Sequence, residues 1–149
     1  MKRHFAFLFP ILLLFLISLA CSFSVDLGDR LDSEIFSVQA SEVWTNTHIN
    51  VEAGDLLTIT YLSGRWSPGA GEEVDAIGCG GDPRSINNII KGVSHAALIG
   101  RIGDHEPFLV GERYHHSMGE SGILYLGIND SDLGNNSGCL QVKVELFEQ

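Results

Sequence analysis

Leu140-Gln-Val-Lys-Val-Glu-Leu146 alternates apolar and polar residues without a break. Successive side chains of a strand point to opposite faces, so this run has one dry face and one wet face. A helix would scatter the same apolar residues around its axis. Period two also governs Glu34–Ala40 and, more weakly, Thr47–Val51. Leu56–Leu62 is rich in strand formers, and a turn at Ala53-Gly54-Asp55 precedes it. Ala96–Ile102, Pro107–Val110, Gly122–Leu126 and Leu140–Phe147 complete the expected strands. Outside the N-terminal apolar run, no segment holds a helix-period stripe of useful length. The 17 glycines suit turns rather than helices. These patterns imply an all-β fold, a jelly-roll-like β-sandwich spanning residues 34–149 as a single domain.

The ends of the chain carry a different signal. Lys2 and Arg3 precede Phe5–Leu19, an almost wholly apolar run too short to span a bilayer as a helix. Ser18-Leu19-Ala20-Cys21 then follows. Residues 1–20 read as an export signal, and Cys21 as the acylated first residue of a bacterial lipoprotein. Plain secretion with cleavage near Ala20 is the alternative. Residues 21–33 carry Asp26, Asp29 and Asp32 with Ser and Gly, and read as a flexible tether. The expected location is therefore the cell envelope, outside the cytoplasm, with a membrane contact through the lipid alone.

Charge removes several function classes. The formal net charge is −10, and loss of Lys2 and Arg3 with the signal makes it −12. So acidic a surface argues against a nucleic-acid partner and against direct binding of anionic lipid headgroups. Apart from Cys21 there are two cysteines, Cys79 and Cys139. In an oxidising compartment they can form a disulfide or stay as two packed thiols, and their spacing excludes a Cys-x-x-Cys site.

The chemistry-bearing stretch is Gly127-Ile-Asn-Asp-Ser-Asp-Leu-Gly-Asn-Asn-Ser-Gly138. Asp130 and Asp132 supply carboxylates, and Asn135 and Asn136 supply amide carbonyls. Hard oxygen donors on a short loop match Ca²⁺, which takes about 6–8 oxygen ligands in tolerant geometry. The thiolates and imidazoles that Zn²⁺ favours are missing from this loop. Asn, Asp, Gly and Ser also build ordinary β-turns, so composition alone leaves both readings open. An EF-hand does not fit. Counted from Asp130 as position 1, position 6 is Asn135 instead of Gly, and position 12 is Gln141 instead of Glu.

Leu126-Gly-Ile-Asn-Asp130 followed by Gly134-Asn-Asn-Ser-Gly138 resembles the calcium loop of the LecA-type (PA-I-like) galactophilic lectins. Val51-Glu-Ala-Gly-Asp-Leu-Leu-Thr-Ile-Thr60, Gly64-Arg-Trp-Ser67 and Ala97-Leu-Ile-Gly-Arg-Ile-Gly103 resemble further segments of that family, in the same order. The resemblance covers roughly residues 36–147. It implies a β-sandwich that holds Ca²⁺ through Asp130, Asn135 and Asn136. It also implies backbone carbonyls near Asp132 and in the loop at Ser67–Gly69, and a sugar that completes the ion's shell with two adjacent hydroxyls. The loop is two residues shorter than in the family between Asp130 and Gly134, which affects Asp132 most. Where the family's galactose lectin has a His-Pro pair with a nearby Gln, this chain reads Asp82-Pro83-Arg84-Ser85. Asp82 and Arg84 are thus the expected sugar contacts. Trp66, like Trp44 and Tyr61, is an aromatic near the proposed loops that either stacks on a sugar or packs in the core, and Trp66 is the one taken as a ligand contact. A galactose-like sugar is one candidate, and the specificity itself does not transfer.

The reading is a calcium-dependent carbohydrate-binding domain of an exported lipoprotein. The alternative is a structural or interaction lipoprotein in which Ca²⁺ only stiffens the loop. An enzyme is not expected. The candidates for catalytic chemistry are Glu72-Glu73 with Asp75, and His115-His116 with Glu112; the first group sits in a glycine-rich loop over residues 67–85, and long loops of compact domains are often functional. No Gly-x-Ser-x-Gly elbow or phosphate-cradling loop occurs. His48, His95, His105 and the His115-His116 pair are scattered. Neighbours in a strand face opposite ways, so His115 and His116 are poorly placed to share one metal.

Overall fold

The computed structural model describes residues 33–69, 71–80 and 86–148. The expectations at Cys21, Asp82 and Arg84 lie outside these residues. Among the described residues, eight strands form two antiparallel four-stranded sheets. They are β1 (Glu34–Gln39), β2 (Thr45–Val51), β3 (Leu56–Ser67), β4 (Leu98–Ile102), β5 (Phe108–Leu109), β6 (Arg113–Ser117), β7 (Gly122–Ile128) and β8 (Ser137–Phe147). One sheet runs β1-β8-β3-β6 and the other β2-β7-β4-β5. The chain therefore crosses between sheets as a jelly roll does. The only helical turn among the described residues is a 3₁₀ segment, Leu133–Asn135.

The core lies between the two sheets. Leu140, Val142, Val144 and Leu146 are buried, while Gln141, Lys143 and Glu145 are only partly covered on the other face. They meet Leu57 and Ile59 of β3, and Leu98, Ile102, Leu124, Leu126 and Ile128 of the opposite sheet. Each fully buried Leu or Ile contributes about 1.5–3 kcal/mol from its area removed from water.

β3 continues five residues past the expected Leu62 and pairs with β8 as far as Ser67↔Ser137. Two glycines let the ends of these strands approach. Gly64 has φ +98°, and a Cβ there would lie 2.4 Å from the Cys139 carbonyl oxygen; Gly138 has φ +83°, and a Cβ there would lie 2.5 Å from that of Arg65. Positive φ with no room for a side chain restricts both positions to glycine. The ribbon ends with Trp66-Ser67 and Ser137-Gly138 side by side, which brings the loop after Trp66 to the oxygen-rich loop.

β6 has no counterpart in the expectations. Its sequence, Arg-Tyr-His-His-Ser, is almost entirely exposed at a sheet edge, so no apolar alternation marks it. β4 begins at Leu98 instead of Ala96, because Ala96 adopts φ +59° and leaves the ladder.

Candidate functional site

The site stands where β7 hands the chain to the loop before β8. Asn129 and Asp130 are adjacent, and both are buried. Asn129 faces inward and organises a neighbour. Its Oδ1 accepts from the Ile90 amide at 2.8 Å, and its Nδ2 donates to the Ser94 carbonyl at 3.0 Å. Its own backbone carbonyl accepts from the Ala96 amide at 3.2 Å. Asn129 therefore fixes the segment 90–96 against the loop by both side chain and backbone.

Asp130 faces the loop. Its Oδ1 accepts from the Asp132 amide at 3.0 Å, and its Oδ2 accepts from Asn136 Nδ2 at 3.1 Å. The residue is 1% exposed, and among the described residues no Lys or Arg lies within ion-pairing distance of its carboxylate. His95 places Nε2 3.8 Å from Asp130 Oδ2. A buried carboxylate held by amide hydrogen bonds needs further positive charge or donors to offset its lost hydration.

Asn136 also donates to the Ala40 carbonyl at 3.3 Å. This joins the loop to the end of β1, across 96 residues of sequence. Its Oδ1 is buried and has no hydrogen-bond partner. An orphaned acceptor beside a buried carboxylate is the donor pattern that a hard cation satisfies. Asn135 closes the 3₁₀ turn, and its side chain lies against Gly69, where a Cβ would meet Nδ2 at 2.4 Å. Asp132 is exposed and starts the turn without a side-chain capping bond. The loop thus brings Asp130 and Asn136 into contact, sets Asn135 against the loop after Trp66, and leaves the Asp132 side chain outward. Among the described residues, no three His, Cys, Asp or Glu side chains are grouped to hold a metal.

Trp66 is corrected. It is 1% exposed, and its Nε1 donates to the Ala96 carbonyl at 3.0 Å, so its ring belongs to the core and offers no face to a ligand. Its contribution to the site is structural, since it ties β3 to the residue after His95. Glu73 lies 3.9 Å from Arg65, and Asp75 Oδ1 accepts from the Ile77 amide at 3.0 Å. Both cysteines are free thiols. Burial first, and then the Glu72 and Asp130 carboxylates, push the Cys79 thiol above its usual value. Cys79 is thus at the edge of the site, and its amide donates to the His95 carbonyl at 2.8 Å.

Three positions escaped sequence reasoning. Asn129 looked like half of a motif pair, although its buried side chain clamps the segment before β4. Ala40 carries no chemistry in its side chain and acts through its carbonyl. His95 counted among scattered histidines, and only the fold brings it to Asp130.

Similarity to known proteins follows this geometry. The chain is similar to a solved domain described as "EclA N-terminal domain; PllA-like lectin", with a TM-score of 0.57 and 25% identity, over 80% of this chain and 98% of that one. The sandwich is lectin-like. No family model matches the chain. No curated protein matches it either.

Proposed function

We propose that this chain is a calcium-dependent carbohydrate-binding domain and not an enzyme. The observation that carries the reading is the buried, unpartnered Asn136 Oδ1 beside the buried Asp130 carboxylate. The likeness to a lectin domain supports the sugar as ligand. Asp130, Asn135 and Asn136 would hold the ion, with backbone carbonyls of the Asp132 and Ser67–Gly69 segments as further donors. Bound Ca²⁺ supplies coordination for two adjacent sugar hydroxyls in place of water.

The protein's own residues do the remainder. Asn129 and the Gly64–Gly138 ribbon fix the two loops, so little ordering cost is left for binding. Asp82 and Arg84 stand in the segment expected to contact the other hydroxyls. Export and lipid anchoring through Cys21 belong to the same reading. Cys21→Ser is expected to release the protein from the membrane fraction, because acyl chains supply the anchoring energy. Unchanged partitioning of that variant contradicts the anchor.

Calorimetry of Ca²⁺ binding to wild type, followed by a glycan array with and without chelator, tests the function. Binding of sugar only in the presence of Ca²⁺ is expected. Ca²⁺ binding with no sugar on the array would favour an ion that only stiffens the loop.

A further inference from the structure

His95 is held more firmly than its surface position requires. Its side chain is 20% exposed. Its carbonyl accepts from the Cys79 amide at 2.8 Å. On either side, Ser94 is bonded to Asn129 and Ala96 to Trp66. Ala96 takes φ +59°, which a residue with a Cβ rarely adopts, and this turn carries the chain past the site.

The hydrogen-bond chain fixes which ring nitrogen carries the proton. Asn88 is 3% exposed, and its Nδ2 donates to the Val93 carbonyl at 2.7 Å. Asn88 Oδ1 must then be the atom facing His95 Nδ1, at 2.8 Å, so Nδ1 is the donor. In the neutral ring, Nε2 is left as a bare acceptor. It points toward Asp130 Oδ2 at 3.8 Å. Two acceptors face each other there, and the described residues place no donor between them. Both Asp130 oxygens are already occupied by protein donors, from Asp132 and Asn136. A ligand hydroxyl suits Nε2, because its single O–H donates to that bare acceptor while its oxygen stays open to a donor or a cation beside Asp130.

We propose that His95 is a specificity-determining arm of the same site, with Nε2 accepting the hydrogen of one saccharide hydroxyl beside Asp130. The inference rests on the carbohydrate-binding reading above. His95 thereby discriminates between sugars that share the same adjacent pair of hydroxyls but differ at a third. A site built to bond one hydroxyl rejects the analogue that lacks it, since its buried polar atom is left unpaired.

The test uses the full chain in Ca²⁺. The probe is whichever of the methyl glycosides of galactose, fucose, mannose, glucose and N-acetylglucosamine the wild type binds most tightly, with its monodeoxy analogues. His95→Ala is expected to lose about tenfold or more in sugar affinity while Ca²⁺ affinity stays near wild type, with a modest fall in melting temperature from the lost bond to Asn88. Against one monodeoxy analogue, wild type and His95→Ala should bind equally, because the partner hydroxyl is already gone. His95→Gln, which keeps an acceptor, should recover part of the loss. Wild-type sugar affinity in His95→Ala overturns the proposal. So does a loss spread evenly over all deoxy analogues, or a fall in Ca²⁺ affinity, since each gives His95 a supporting role only. If wild type in Ca²⁺ binds none of the five sugars, the carbohydrate reading fails first and this assignment falls with it.

Discussion

Asn136 donates its side-chain amide to the Asp130 carboxylate, with Nδ2 3.1 Å from Oδ2, while its own Oδ1 is buried without a partner. The pair is half of a satisfied contact, and the unsatisfied half is an acceptor. Asp130→Ala should therefore abolish Ca²⁺ binding, because it removes the buried charged ligand. Without Ca²⁺ the same variant should lose about 1–3 kcal/mol of stability, as two amide donors lose their acceptor. Calorimetry that found wild-type Ca²⁺ affinity in Asp130→Ala would place the ion elsewhere.

Gly69 connects the two loops. Gly69→Ala should push Asn135 aside and weaken Ca²⁺ by about tenfold, equivalent to about 1.4 kcal/mol. The clash is with the end of a flexible side chain, and the Gly69 φ of +106° adds a backbone cost. Unchanged Ca²⁺ affinity in a folded Gly69→Ala protein would remove Asn135 from the ligand set.

Asn129 is expected to matter more for order than for the ion. Asn129→Ala deletes bonds to Ile90 and Ser94 and leaves partly buried backbone groups unpaired. A loss of about 2–3 kcal/mol, read as a lower melting temperature, should follow. Hydrogen exchange at the Ile90 amide should quicken, because that amide bonds the deleted side chain. If it stays protected, the segment 90–96 is held by other contacts.

Much of the fold was legible, and little of the site's cross-linking was. Leu140–Leu146 announces its buried face because period two reflects strand geometry directly. β6 was silent, since an exposed edge strand such as Arg113-Tyr-His-His-Ser117 buries nothing that would impose a pattern. Asp130, Asn135 and Asn136 were visible as types on one short loop. Their partners were not, because Ala40, Gly69 and His95 reach the loop through pairing across distant strands. Trp66 is open to both a stacking and a core reading in the sequence, because the carbonyl that its indole N–H finds in the interior is not written there.

Cys79 gives a pH prediction. Burial and the nearby Glu72 and Asp130 carboxylates raise its thiol above the ordinary 9.0. The folded protein keeps that proton where an unfolded chain would lose it, so the thiol's contribution to stability is present below pH 9.0 and lost as pH rises past it. Only the thiolate reacts with iodoacetamide, so labelling of Cys79 in a Cys21→Ser, Cys139→Ser background should reach half-rate above pH 9.0. A midpoint at or below that value contradicts the environment described.

The most direct measurement of the central claim is sugar binding on a glycan array in Ca²⁺, after chelation, and after Ca²⁺ is restored. The account predicts binding to a defined set of glycans that vanishes with chelator and returns with the ion. Binding that persists through chelation, or no binding to any glycan while calorimetry shows Ca²⁺ bound, would contradict it.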